Sequence, residues 1–248
     1  MSVRIVELYP ESLSLNGDVG NRMVLARRMR LAGWDVVESA YRAGEELSAD
    51  DRDADVILIG SGTSSALRQT APDVARIAEW LRERAMAGAV VVAAGGGFGL
   101  LGRSVKLSAT ETLTGAGVFD VETDATAERV ITEGFAVDSA DGLIVGTENH
   151  TTTVRRGAGV EPFGTVVRHG RGNGDGTEGA LYGNAIGTHC HGPLLAMNPR
   201  VADRLIGSIA ERRGLRYERT AEHDALDVLI RRTRAILLTK ANGVTDDM

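Results

Sequence analysis

Two short apolar runs that stop abruptly at glycine constrain this chain more than any other feature. Val56-Ile57-Leu58-Ile59 gives way to Gly60-Ser61-Gly62, and Val90-Val91-Val92-Ala93-Ala94 gives way to Gly95-Gly96-Gly97. Four or five consecutive apolar residues bounded by turn signals suit a strand buried on both faces, as in a parallel sheet. Glycine at the exit permits positive φ and a close approach of backbone. Between the runs, residues 71–87 read as one helix, with Pro72 in its first turn and Val74, Ile77, Ala78, Leu81 and Ala85 on a stripe. Upstream, residues 3–8 read as a strand. Residues 21–32 follow as a helix carrying Met23, Leu25, Ala26, Met29 and Leu31, stopped at Gly33, and residues 34–39 as a second strand. Strands alternating with helices predict an α/β fold: a mainly parallel sheet with helices on both faces.

The second half changes character. Residues 115–124, 128–136 and 142–147 read as shorter strands, 168–179 as a Gly-rich polar loop, and 182–188 as a returning strand. Residues 199–213 and 222–241 read as helices, the last with a stripe of Leu226, Leu229, Ile230, Thr233, Ile236 and Leu237. No repeat or long linker interrupts the pattern. We therefore expect one domain over residues 1–241 and a frayed polar tail at 242–248. The formal charge of -6 argues against a nucleic-acid partner. No segment is apolar enough to insert in a membrane, and no leader precedes the first strand, so a cytoplasmic location is expected. One cysteine, Cys190, excludes an internal disulfide framework.

The chemistry-bearing residues cluster late. Gly187-Thr188-His189-Cys190-His191-Gly192-Pro193-Leu194-Leu195, with Asn198-Pro199 after it, resembles the catalytic-histidine strand of class I glutamine amidotransferases in the CobB/CobQ-like branch. The segment ending in Gly95-Gly96-Gly97-Phe98-Gly99 is similar to that family's nucleophile turn. Leu8-Tyr9-Pro10 and Gly17-Asp18-x-Gly20-Asn21 resemble the opening of the GatD type of subunit. Glu148-Asn149-His150, Gly170-x-Gly172-Asn173 and Gly176-Thr177-Glu178-Gly179-Ala180 extend the resemblance. It implies a flavodoxin-like α/β architecture and a glutaminase that passes ammonia to a Mur-ligase-like (MurT-type) partner. That partner amidates the D-glutamate of the peptidoglycan precursor lipid II. No cofactor and no metal are implied, and the Gly-rich run lacks the Gly-Lys-Ser/Thr ending of a phosphate loop.

Carried onto this sequence, the resemblance makes His191 the catalytic base and Arg129, on a predicted strand, the partner of the carboxylate of glutamine or a related amino acid. Gly60, Gly62 and Gly96 line the substrate and supply backbone N–H groups. An imidazole titrating near about 6.5 suits the first task, and a planar guanidinium fork the second. The family's nucleophilic cysteine, however, corresponds to Gly95. Its substrate-holding glutamine corresponds to Gly99, and its Gly-Gly-Gly oxyanion loop reads Gly60-Ser61-Gly62. A glycine cannot attack a carbonyl, so little or no glutaminase turnover is expected. A catalytically silent binding or scaffolding subunit, or a non-covalent activity in the same pocket, stays open. His189 lies two residues before His191 and is expected on the same strand face, with Cys190 packed on the other.

Overall fold

The computed structural model describes residues 2–240. Its centre is a six-stranded sheet in the order Ala180–Tyr182, Ala185–Thr188, Val90–Ala94, Val56–Ile59, Val3–Leu8, Val36–Tyr41. Every neighbouring pair is parallel except the first, a hairpin at the edge. The mainly parallel α/β architecture is as expected. Alternate residues of each central strand face opposite sides. Ile57 and Ile59 join Val91 and Ala93 in one apolar cluster with Leu67, Val74, Leu81 and Phe98. Val56, Leu58, Val90 and Val92 join the other with Leu25, Met29, Leu205 and Ile209. Helix Val19–Leu31 and helix Pro199–Arg213 thus cover one face, and helices Ser64–Arg76, Ala78–Met86 and Gly96–Leu101 cover the other.

The register brings strand ends together. Ile59 lies opposite Ala93, and Ala94 lies opposite Thr188. The loops beginning at Gly60, Gly95 and His189 therefore leave one edge of the sheet side by side. In open α/β sheets this carboxyl edge is where ligands bind.

Two expectations need correction. The helix expected at residues 71–87 is two helices, Ser64–Arg76 and Ala78–Met86, and Pro72 sits inside the first rather than at its start. The start is set by Thr63, whose hydroxyl accepts from Ala66 N at 3.2 Å. Burial of Leu67, Ala71 and Val74 carries the helix through the hydrogen bond that proline cannot donate. The strand expected at 115–124 begins only at Val121, because residues 116–119 turn back onto Leu100, Leu101 and Gly102. The last helix, Ala221–Lys240, forms as expected; Leu226, Ile230 and Leu237 of its stripe are partly buried, whereas Leu229 and Ile236 are 59% and 60% exposed. A polar seam adds to its docking. Asp227 accepts from Arg28 Nη1 at 2.9 Å, His223 Nε2 lies 2.9 Å from Arg28 O, and Arg28 also forks onto Asp203. The tail at 242–248, and residue 241 before it, lie outside the described residues.

The chain from Ser104 to His191 forms two further sheets. Thr153–Arg156, Val121–Asp124, Ser104–Lys106 and Thr112–Thr114 make one. Thr177–Glu178, Gly164–Arg168, Val130–Ser139, Gly142–His150 and Cys190–His191 make the other. The chain therefore leaves the main sheet after Thr188 and joins a different sheet at Cys190.

Candidate active site

Gly95 sits at the tip of the Val90–Ala94 strand with φ +51° and ψ −115°, a conformation that side-chain-bearing residues rarely adopt. Its N–H donates to Thr188 O at 2.8 Å, and Gly97 N–H donates to Gly60 O at 3.1 Å. These bonds stitch the three strand exits into one cleft floor. A Cβ built on Gly95 would stand 3.0 Å from His191 Cε1 and 2.6 Å from Ser61 Oγ. The glycine and the histidine, 96 positions apart in the sequence numbering, thus face each other directly. Gly60, Gly62 and Gly96 line the same place. A Cβ on Gly60 would meet Leu13 O at 2.3 Å, one on Gly62 would meet Leu13 Cδ2 at 2.4 Å, and one on Gly96 would meet Leu67 Cδ2 at 2.8 Å. Gly60, Ser61 and Gly95 are buried, whereas Gly62 and Gly96 are partly exposed, so solvent reaches this place from their side.

His191 is fully buried, and its Nδ1 lies 3.0 Å from Asp18 Oδ1. The other oxygen of Asp18 accepts from Ser61 N–H at 2.7 Å. One carboxylate thus fixes both the imidazole and the loop that faces Gly95. His191 Nε2 is buried without a hydrogen-bond partner among the described residues. Buried polar atoms are nearly always satisfied, so this nitrogen is open to a hydrogen-bonding partner from outside the chain. Asp18 was not singled out from the sequence as a site residue. The only signal was its place in Gly17-Asp18-x-Gly20-Asn21, and the geometry explains that motif. Gly20 lets the helix approach Pro193, whose Cγ would lie 2.2 Å from a Cβ there, and Asn21 Oδ1 accepts from Leu195 N–H at 2.8 Å. The motif clamps the segment that carries His191.

Arg129 is exposed and lies one residue before the Val130–Ser139 strand rather than on it. Its Nη1 donates to Asn149 Oδ1 at 2.7 Å, and Asn149 Nδ2 donates to Asn16 Oδ1 at 3.2 Å. It is thereby tied to the loop that leads into Asp18, at the rim rather than in the floor.

Residues 20–199 match the CobB/CobQ-like glutamine amidotransferase domain. The chain belongs to that family. It is 29% identical over 92% of its length to 95% of the lipid II isoglutaminyl synthase (glutamine-hydrolyzing) subunit GatD of Staphylococcus aureus (strain N315). To the subunit of the same name from Streptococcus pneumoniae (strain ATCC BAA-255 / R6) it is 28% identical, covering 82% of this chain and 79% of that one. A crystal structure of a glutamine amidotransferase superposes with a TM-score of 0.56 at 16% identity, over 83% of this chain and 98% of the other. That likeness speaks for the fold alone.

In this CobB/CobQ-like protein the other sequence-marked residues build a second, closed network. The strand breaks at His189, so the parity expected to place both histidines on one face does not hold. His189 turns to Glu178, with Nδ1 3.1 Å from Oε2, and its Nε2 lies 3.0 Å from Thr152 Oγ1. Its ring stacks on His150 at 4.2 Å and meets Phe98 edge-on at 5.5 Å. Burial and the neighbouring His189 push His150 below its ordinary value, against the pull of Glu148. Burial alone would raise Glu178, but His189 and the donors from Thr188 hold it below its ordinary value. Glu148 accepts from Gly172 N–H at 2.6 Å and Arg171 N–H at 2.9 Å. The amides that could have cradled a phosphate are thus already spent on a carboxylate. Cys190 packs in the apolar cluster with Phe135 and Leu194, and burial pushes its thiol well up, which keeps it protonated and unreactive. Among the described residues no group of three or more His, Cys, Asp or Glu side chains could hold a metal ion.

Proposed function

We propose that this chain is a subunit of the GatD kind, acting as one domain on a Mur-ligase-like partner that amidates the D-glutamate of lipid II. The observation that carries the reading is the buried Asp18–His191 pair facing the strand-to-helix turn at Gly95, in a chain similar over nearly its whole length to two GatD subunits. In this reading His191 Nε2 is the proton acceptor, oriented by Asp18 through Nδ1. The backbone around Gly60, Gly62 and Gly96 receives the amide or acyl oxygen. Arg129 draws the substrate carboxylate to the rim. Residue 95 offers no thiol, so the cysteine thioester does not form. The subunit keeps the surface and passage that bring ammonia to the ligase, while its own release of ammonia from glutamine is weak.

The test is coexpression with a MurT-type ligase, followed by copurification and amidation assays on lipid II with ammonium chloride or glutamine as nitrogen source. A stable complex that raises ammonium-driven amidation, with glutamine a poor donor, is the expected result. Absence of a complex, together with amidation that ignores the chain, would overturn the reading.

A further inference from the structure

The geometry points to Ser61 as the nucleophilic hydroxyl of this cleft, served by the Asp18–His191 pair in place of a side chain at residue 95. The inference rests on the reading of the cleft as an acyl-transfer site and assigns its reacting atom. Four observations converge. The point where a Cβ on Gly95 would sit lies 2.6 Å from Ser61 Oγ and 3.0 Å from His191 Cε1, so the serine hydroxyl and the imidazole edge border the same small space. A side chain at residue 95 and the present position of Ser61 exclude each other, since 2.6 Å is far inside van der Waals contact. The carboxylate that orients His191 also accepts from Ser61 N–H, so Asp18 ties the base to the backbone that carries the hydroxyl. Finally, His191 Nε2 is buried and unpartnered among the described residues, and it is the nitrogen a base would use. Hydrogen bonds between nucleophile and base are often open without substrate and close when it is seated.

The substrate class is a small acyl compound, a carboxylic ester or a primary carboxamide. Ser61 Oγ adds to the acyl carbon and its proton passes to His191 Nε2, while the carbonyl π pair moves onto oxygen. Gly62 N–H, which makes no hydrogen bond among the described residues, is the donor assigned to that oxygen. Collapse of the adduct expels the alcohol or ammonia, which takes the proton back from Nε2, and leaves an ester on Ser61. Water then attacks that ester, giving its proton to Nε2. The carboxylic acid departs and Ser61 Oγ recovers its proton. No oxidant or second cofactor is needed.

The experiment uses the full chain with a small fluorophosphonate, which forms a stable phosphonyl ester on an activated serine with loss of fluoride, and locates the adduct by peptide mass spectrometry. A single adduct on Ser61 is expected. It should be absent in Ser61→Ala, and its formation should slow by about a hundredfold or more in His191→Gln, the scale of general-base assistance. Turnover of p-nitrophenyl acetate and of glutamine, each compared with Ser61→Ala, tells an ester site from a carboxamide site. An unlabelled Ser61 in protein of native circular dichroism would overturn the inference, and so would labelling at an unchanged rate in His191→Gln. Neither result touches copurification with the ligase, so the two proposals fail separately.

Discussion

His189 and His191 are two residues apart and both buried, yet they do opposite things. His189 is saturated: Glu178 holds one ring nitrogen, Thr152 meets the other, His150 stacks on its ring and Phe98 meets it edge-on. His191 is held on one side only, by Asp18, and its other nitrogen has no partner among the described residues. A saturated buried polar group specifies a fold, whereas a half-satisfied one stores the capacity to bind or react. The difference arises because the chain changes sheets between Thr188 and Cys190, so each imidazole meets a different carboxylate.

The sharpest way to break this comparison is at Glu178. It accepts from Thr188 Oγ1 and His189 N–H at 2.7 Å each, besides the His189 ring. Glu178→Ala leaves those buried donors unpaired, and we expect a loss of ~3–5 kcal/mol in urea unfolding, the range for removing one partner of a buried pair. A variant as stable as the parent would show that the network is not the structural element of the two.

Asp18→Asn comes next. The carboxylate serves two donors with two oxygens, His191 Nδ1 and Ser61 N–H. An amide can accept with only one of them and turns its NH₂ on the other donor. The expected cost is ~1–3 kcal/mol, that of one unsatisfied buried group, with loss of any reaction that needs His191. Full retention of both stability and reactivity would mean that Asp18 orients neither partner.

Acid should separate the two regions as well. His150 is held below its ordinary 6.5 and Glu178 below its ordinary 4.5. For both, the unfolded chain binds protons more readily than the folded one, so stability falls as pH falls. The loss begins near pH 6.5 for His150 and only below about 4.5 for Glu178. Each group contributes a slope of at most about 1.4 kcal/mol per pH unit. Replacing His150 with Gln should flatten stability just below pH 6.5 while leaving the fall that begins below about 4.5. A curve of unchanged shape in that variant would assign the upper limb to another group.

Much of this was legible in the sequence, for reasons that differ by region. The central strands Val56–Ile59 and Val90–Ala94 announced themselves because burial on both faces demands unbroken apolar runs. The opposition of Gly95 and His191 followed from family resemblance. Asp18 stayed hidden because it meets His191 across 173 positions of sequence, and a carboxylate in a loop carries no local signature. The divergence of the two histidines was misread because a two-residue period assumes an unbroken strand, and this one breaks at His189. The last helix was legible as a helix, but its stripe of leucine and isoleucine gave no hint that Arg28 would draw in His223 and Asp227. Ser61 could not be weighed at all until a distance to Gly95 existed.

The smallest stability effect, and the most telling, should come from His191→Gln. Glutamine keeps an N–H donor that can reach Asp18, so the carboxylate need not be left bare, and no other bond of His191 is lost because Nε2 has no partner among the described residues. The expected cost is ~0.5–1.5 kcal/mol, that of one exchanged hydrogen bond. The same change removes the proton-accepting nitrogen, so serine labelling and acyl turnover should fall by about two orders of magnitude or more. The corresponding change at His189 should show the reverse ratio, since Gln cannot replace the stack on His150 and the edge contact with Phe98 or satisfy both Glu178 and Thr152. Measuring both variants in urea and with the fluorophosphonate gives four numbers. If the two substitutions cost the same stability and the same reactivity, the distinction between a saturated and an open histidine has no physical content here. If the costs cross over, the single unpartnered nitrogen of His191 is what separates a chemical site from a structural one in this cleft.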